Sequence, residues 1–366
     1  MRQALFLYSP QVWQTGHGSN HPLKPERLQR TYELLAEYGA FKAPNVKVIP
    51  PRAASDDELA LFHTREYIDV VQQLSSGSYR QDVFDYGFGS EDNPVFAGMR
   101  ELVGLSVGSA LQGAELLLKG SCDVAFSYSG GLHHAAPNRA SGFCVFNDAA
   151  VVIHWLLQHV QRVAYVDIDV HHGDGVQDAF YSSDRVLTIS LHQDGRTLFP
   201  GTGAMEEIGI GKGQGYSVNV PLPPYTGNDT YLWAFNQIVP PLLERFNPDI
   251  VVTQLGVDTH YLDPLAHLEL TTKGQMALFE ALSRLAPRWL ALGGGGYDIS
   301  VVPRSWTLAF GVMSGQSFPD ELPTAYRTNY GGESLQDSFS PTTEPPFVRE
   351  SVELVVLKLK KLHSLS

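Results

Sequence analysis

Eight short apolar runs punctuate this chain, and most are apolar throughout rather than alternating apolar with polar. They cover residues 4–8, 46–49, 123–127, 162–168, 186–191, 217–220, 250–255 and 289–292. An alternating strand leaves one face wet, whereas a strand apolar on both faces must be covered on both. Stretches of helical period lie between many of these runs, at 25–38, 98–119, 148–159, 229–246 and 272–285. Strands alternating with helices predict an α/β fold, a parallel sheet with helices on both faces. The chain has 366 residues, 43% hydrophobic and 18% charged. That excludes a disordered or coiled-coil protein and allows a large core. Length alone would permit two domains. We read one domain over 1–366, with 316–346, rich in Pro, Ser, Thr and Gly, as surface loop and 350–362 as a closing helix.

The formal net charge is -13, from 26 Lys+Arg against 39 Asp+Glu. Such a chain is a poor partner for bulk nucleic acid or an anionic membrane, and it would steer a cationic substrate toward itself. Only Cys122 and Cys144 are present, so no disulfide framework holds the fold, and a reducing compartment suits it. The apolar start is too short for a signal-peptide core, and no apolar run reaches membrane-spanning length. The expected location is cytoplasmic.

Polar residues crowd the ends of four predicted strands, where open α/β sheets bind ligands. The run at 162–174 reads RVAYVDIDVHHGD. On an extended chain Asp167, Asp169 and His171 project to one side, and carboxylate and imidazole are good ligands for a divalent first-row metal. Capping of the next helix is the bland alternative, but three ionisable groups on one face of a buried strand are costly unless paired or metal-bound. Asp258, just past the run at 250–255, could supply a third ligand and leave coordination open for water and substrate. Alone it would more often be a turn residue. His260 and Asp263 are read as turn or supporting residues. In GGLHHA, His133 and His134 follow two glycines; neutral imidazole is the natural base near pH 7, although a solvated loop pair would look the same. In ALGGGGYD the glycines let backbone crowd a pocket and present Tyr297, a neutral donor for a developing oxyanion. No Lys-Ser/Thr follows, so this is not a P-loop.

Taken together, GGLHHA, SGFCVFND, YVDIDVHHGDG, LFPGTG, GVDTHYLDPL and GGGGY resemble the zinc-dependent histone deacetylase superfamily, within it the bacterial acetoin-utilisation-type and deacetylase-like members. The resemblance runs from HPLKPERL at residue 21 to about residue 313. It implies the arginase/deacetylase fold, a single domain around an eight-stranded, mostly parallel sheet. By motif, it implies Asp169, His171 and Asp258 as zinc ligands and His133 and His134 as tandem histidines beside the attacking water. Asp167 and Asp174 would back those histidines, and Tyr297 would bond the substrate carbonyl. Phe143 and Phe199 would wall an acyl-lysine channel, with Gly142, Gly295 and Leu265 along it. Asp92 would be the rim carboxylate and Arg27 the arginine behind the site, near a product exit. An inner potassium site would use Asp167, Asp169, His171, Ser190 and Leu191, and an outer one Phe180, Ser183, Val186 and Tyr216. One histidine with two aspartates is a harder ligand set than three histidines and suits iron(II) as well as zinc.

The activity so implied is hydrolysis of N6-acetyl-lysine, or another acyl-lysine, to lysine and carboxylate. The partner is an acylated lysine in protein or peptide, or a small acetylated amine, with acetylpolyamine hydrolysis as the alternative. An arginase-like binuclear manganese enzyme would need a second carboxylate set. A module that only binds acyl-lysine would not need every catalytic position filled. Neither the acyl group nor the oligomeric state follows, and a homo-oligomer is compatible with the sequence.

Overall fold

The computed structural model describes every residue except Met1, Thr15, Ser19, Ser340, Thr342, Thr343 and Ser366. Its strands are β1 (Ala4–Leu7), β2 (Val46–Ile49), β3 (Val124–Ser127), β4 (Val163–Asp167), β5 (Val186–Gln193), β6 (Ser217–Leu222), β7 (Ile250–Gln254) and β8 (Trp289–Leu292). They form one eight-stranded sheet in the order β2-β1-β3-β8-β7-β4-β5-β6, and every pairing is parallel. Parallel neighbours need crossovers, and the helices supply them. These are α1 (Glu26–Glu37), α2 (Asp56–Leu59), α3 (Arg65–Ser75), α4 (Met99–Leu118), α5 (Asp148–Leu156), α6 (Asp174–Phe180), α7 (Asn228–Phe246), α8 (Thr272–Leu285), α9 (Val301–Ser314), α10 (Thr324–Tyr330) and α11 (Pro346–Leu362).

Most strands read as apolar throughout because both faces are packed; the edge strand β2 is the exception, with Lys47 and Val48 exposed. In β4, Ala164 and Val166 join the core shared with α1, α7, α8, α9 and α11, while Val163 and Tyr165 join the core shared with α3, α4, α5 and α6. Helices α3 and α9 escaped the sequence reading, and α9 is buried on nearly every side. The expectation of surface loop at 316–346 is corrected. That span contains α10, and Leu322, Tyr326 and Leu335 are buried against Leu34 and Leu308 in a third cluster. Residues 340, 342 and 343 of the span lie outside the described residues. Among the described residues no helix is long and apolar enough to cross a membrane.

Candidate active site

The central strands β4, β7 and β8 end side by side, and the segments that follow them converge. One expectation fails in detail: β4 stops at Asp167, so strict alternation does not carry Asp169 and His171 to one side. Asp167 leaves the cluster. Its Oδ2 takes the Tyr165 hydroxyl and faces His133 Nδ1, both at 2.7 Å. The ligand-type atoms of Asp169, His171 and Asp258, all buried, lie within 4.8 Å of one another. His171 Nδ1 is 3.1 Å from Asp169 Oδ1 and 3.2 Å from Asp258 Oδ2.

This set needs positive charge. Burial and the Asp169 carboxylate push the Asp258 carboxyl up to about 6, and the two carboxylates hold the His171 imidazole at about 10 against the effect of burial. Two buried carboxylates around one imidazole suit a divalent cation better than a lone proton. The remaining oxygens are already aimed: Asp169 Oδ2 accepts from Gln254 Nε2 (2.6 Å) and Gly295 N–H (2.7 Å), and Asp258 Oδ1 from Val170 N–H (2.8 Å). These three side chains could hold one metal ion.

The tandem histidines stand beside this cluster, their rings 4.0 Å apart. His134 Nδ1 lies 2.7 Å from Asp174 Oδ1. With its Nδ1 facing a carboxylate, neutral His134 in the Nδ1–H tautomer keeps Nε2 free. The two titrate oppositely. Burial would lower His133, but Asp167 and Asp169 overcome it and raise the ring to about 9. Burial and the neighbouring His133 hold His134 down at about 4. Asn147 positions both, capping α5 through Ala150 N–H while its amide donates to the His133 and Ala135 carbonyls.

A cavity of about 210 Å³ leads to the cluster, lined by Asp92, Gly142, Phe143, Leu198, Phe199, Leu265 and Tyr297 with His134 and His171. Phe199 packs edge-on to His134 and Phe143 edge-on to Tyr297. Gly142 is obligatory: its φ is +51°, and a Cβ there would lie 2.5 Å from the His134 ring and 2.8 Å from Phe199. Burial and the nearby Asp258 carboxylate keep the Tyr297 phenol well above its ordinary range, hence protonated. Its backbone N–H donates to Asp263 Oδ2 at 2.8 Å, while Asp263 Oδ1 accepts from Leu265 N–H.

Arg27 is buried behind the glycine run, donating to the Gly294 carbonyl at 2.6 Å and lying 5.2 Å over the Trp306 ring. It lines a second cavity, of about 60 Å³, which Phe143 also borders. The Ser190 hydroxyl meets His192 Nδ1, and the Leu191 carbonyl accepts from Tyr231. Phe180 ends α6, Ser183 N–H donates to its carbonyl, Val186 opens β5, and the Tyr216 carbonyl accepts from Thr188 N–H.

Sequence reasoning missed Gln254 and Asp148; Asp263, read as a turn or supporting residue, accepts from Tyr297 N–H. Gln254 is the one amide in β7, where only Thr253 is otherwise polar, a visible signal. Asp148 is fully buried and accepts from Gly131 and Leu132 N–H, shaping the histidine loop; nothing local marks it apart from an ordinary first-turn aspartate.

The model of the histone deacetylase domain matches residues 21–313. The chain belongs to the histone deacetylase family. It is 40% identical to the acetoin utilization protein AcuC of Bacillus subtilis (strain 168), covering 96% of this chain and 93% of that one. It is 38% identical to human histone deacetylase 1, covering 93% and 70%. Among solved structures, an HDAC homolog complexed with SAHA superposes with a TM-score of 0.90 at 32% identity, covering 98% of this chain and 99% of that one. An HDAC homolog from Aquifex aeolicus gives 0.90 at 31%, covering 97% and 100%.

Proposed function

We propose that this family member is a zinc-dependent deacylase that hydrolyses N6-acetyl-lysine, or a related acyl-lysine, to lysine and a carboxylate. One observation carries the reading: the apolar-walled cavity ends where Asp169, His171 and Asp258 meet two His–Asp pairs and the Tyr297 phenol. A divalent metal held by those three ligands supplies a Lewis acid for the amide carbonyl and makes the attacking water more acidic. His134, neutral at physiological pH, accepts the water proton at Nε2 while Asp174 steadies Nδ1–H. His133, steadied at Nδ1 by Asp167, stands beside the developing oxyanion. Tyr297 donates its phenol proton to that oxyanion as a hydrogen bond. His134 then returns its proton to the departing lysine amine, which could not leave as an anion.

Zinc is the metal we assign, iron(II) being served by the same ligands. Potassium would sit at the two carbonyl-rich positions near Ser190 and near Tyr216. Asp92 at the rim would accept from the substrate backbone, and Gly295 would border the reacting carbonyl. We place the enzyme in the cytoplasm, as one catalytic domain. Leu265 is the ground for preferring acyl-lysine to acetylpolyamine, because an apolar wall suits a methylene stem and offers no partner to a second ammonium.

The test compares specificity constants for an acetyl-lysine peptide, acetylputrescine and acetylspermidine on one preparation. A polyamine preference of about tenfold, or about 1.4 kcal/mol of transition-state binding, overturns the substrate assignment. The metal assignment is checked separately by elemental analysis. About one zinc per chain is expected, as is its loss from Asp258→Ala; full zinc retention with normal turnover in that variant would remove Asp258 from the ligand set.

A further inference from the structure

Helix α11 covers β6, the edge strand, and packs on α7. Val348, Val352, Val356 and Leu359 face inward and are buried. At 100° per residue, Glu350, Leu354, Leu357 and Lys361 lie on the opposite side. Leu354 and Leu357 are 69% and 67% exposed, next to each other on one helix face where a solvated surface would carry polar residues. Of the other large apolar residues on α11, only Phe347 is exposed to a similar degree, at 55%.

We propose that this face of α11 pairs with the same face of a second copy of the chain, antiparallel about a two-fold axis. The arrangement of charge along the helix is the argument. A two-fold contact is isologous, so each residue must suit its mirror position on the partner. Setting Leu354 against Leu357 of the other copy fixes the register, and that register sets Glu350 against Lys361 at both ends. A parallel pairing in register would instead put Glu350 on Glu350 and Lys361 on Lys361. The first half of the helix carries Glu350 and Glu353 beside Arg349 and its last turns carry Lys358, Lys360 and Lys361, so only the antiparallel arrangement joins the apolar pair and both charge pairs at once. One helix face buries less than a standard interface, so the dimer is weak and concentration-dependent. It lies along the sheet edge, away from the strand ends that carry the catalytic cavity.

Sedimentation velocity of the full chain across a concentration series tests this. A monomer–dimer equilibrium is expected, abolished by Leu354→Glu. Glu350→Lys alone and Lys361→Glu alone should each weaken association by about tenfold or more, since like charges then face each other. The double variant E350K/K361E should restore it, because the exchange keeps every pair opposite in sign. All four variants should keep the thermal unfolding midpoint and circular dichroism of the parent, which rules out misfolding as the cause. A strict monomer throughout the series overturns the proposal. So does a dimer indifferent to Leu354→Glu, or a double variant as weak as the singles, which would place the contact elsewhere or give the face to a different partner.

Discussion

Replacing Gly295 by alanine should empty the metal site without touching a ligand. The Gly295 φ lies outside the left-handed region, so alanine meets no backbone penalty, and the effect is steric. A Cβ there would sit 2.0 Å from Asp258 Oδ2 and 2.8 Å from Asp169 Oδ2. Real Cβ contacts essentially never fall below 3.0 Å, so relief demands movement of about 1 Å in a site where misplacement by that much costs on the order of 10²-fold in rate. Nothing nearby is soft. Asp258 is pinned by Val170 N–H, Asp169 by Gln254 and by Gly295 N–H itself, and the carboxylates are fully buried. The Gly256 backbone also packs close to Asp169, since a Cβ added there would lie 2.1 Å from Asp169 Oδ2. Elemental analysis of purified Gly295→Ala should therefore show loss of most bound zinc, with turnover on an acetyl-lysine peptide down by about 10²-fold or more. Wild-type metal content together with turnover within about threefold of the parent would refute the packing argument, since that size of change lies far below a displacement of this kind.

Tyr297→Phe should lower turnover by roughly 10²–10³-fold while the Michaelis constant changes little, the pattern of an oxyanion donor; unchanged turnover on a plain acetyl substrate would remove that role. Leu265→Glu should shift specificity from acetyl-lysine peptide toward acetylspermidine by about tenfold, because a carboxylate at the cavity wall gives the second ammonium a partner; steady-state kinetics on both substrates check it. Asp337→Ala should destabilise the fold by about 3 kcal/mol in urea titrations, since it strips partners from buried His260 and half-buried Arg304 together. Burial opposes ionisation of Asp337, but the bonds from His260, Thr272 and Arg304 prevail and hold its carboxyl below the usual range. Its contribution is therefore complete above the ordinary carboxylate pKa near 4 and fades as pH falls below that value, so the gap between parent and variant should narrow in acid.

Local sequence determined which pieces form and what chemistry they carry. Runs apolar on both sides are strands because parallel strands are packed on both faces, and β2 and β8 end where their sequences suggest. Glycine before His133 and Tyr297, and clustered Asp and His, mark the chemistry because few other uses justify such groups beside a core. Tertiary structure decided which groups meet. By strand alternation Asp167 projects with Asp169 and His171, yet it meets His133 instead, as the motif resemblance implied, because β4 ends at Asp167. Asp263 and Asp337 look like loop residues; one anchors Tyr297 and the other ties a distant segment to His260. Such roles depend on contacts between segments far apart in the chain, set by the strand order and the packing of the helices against the sheet, and no local pattern of residues encodes a distance across the sheet.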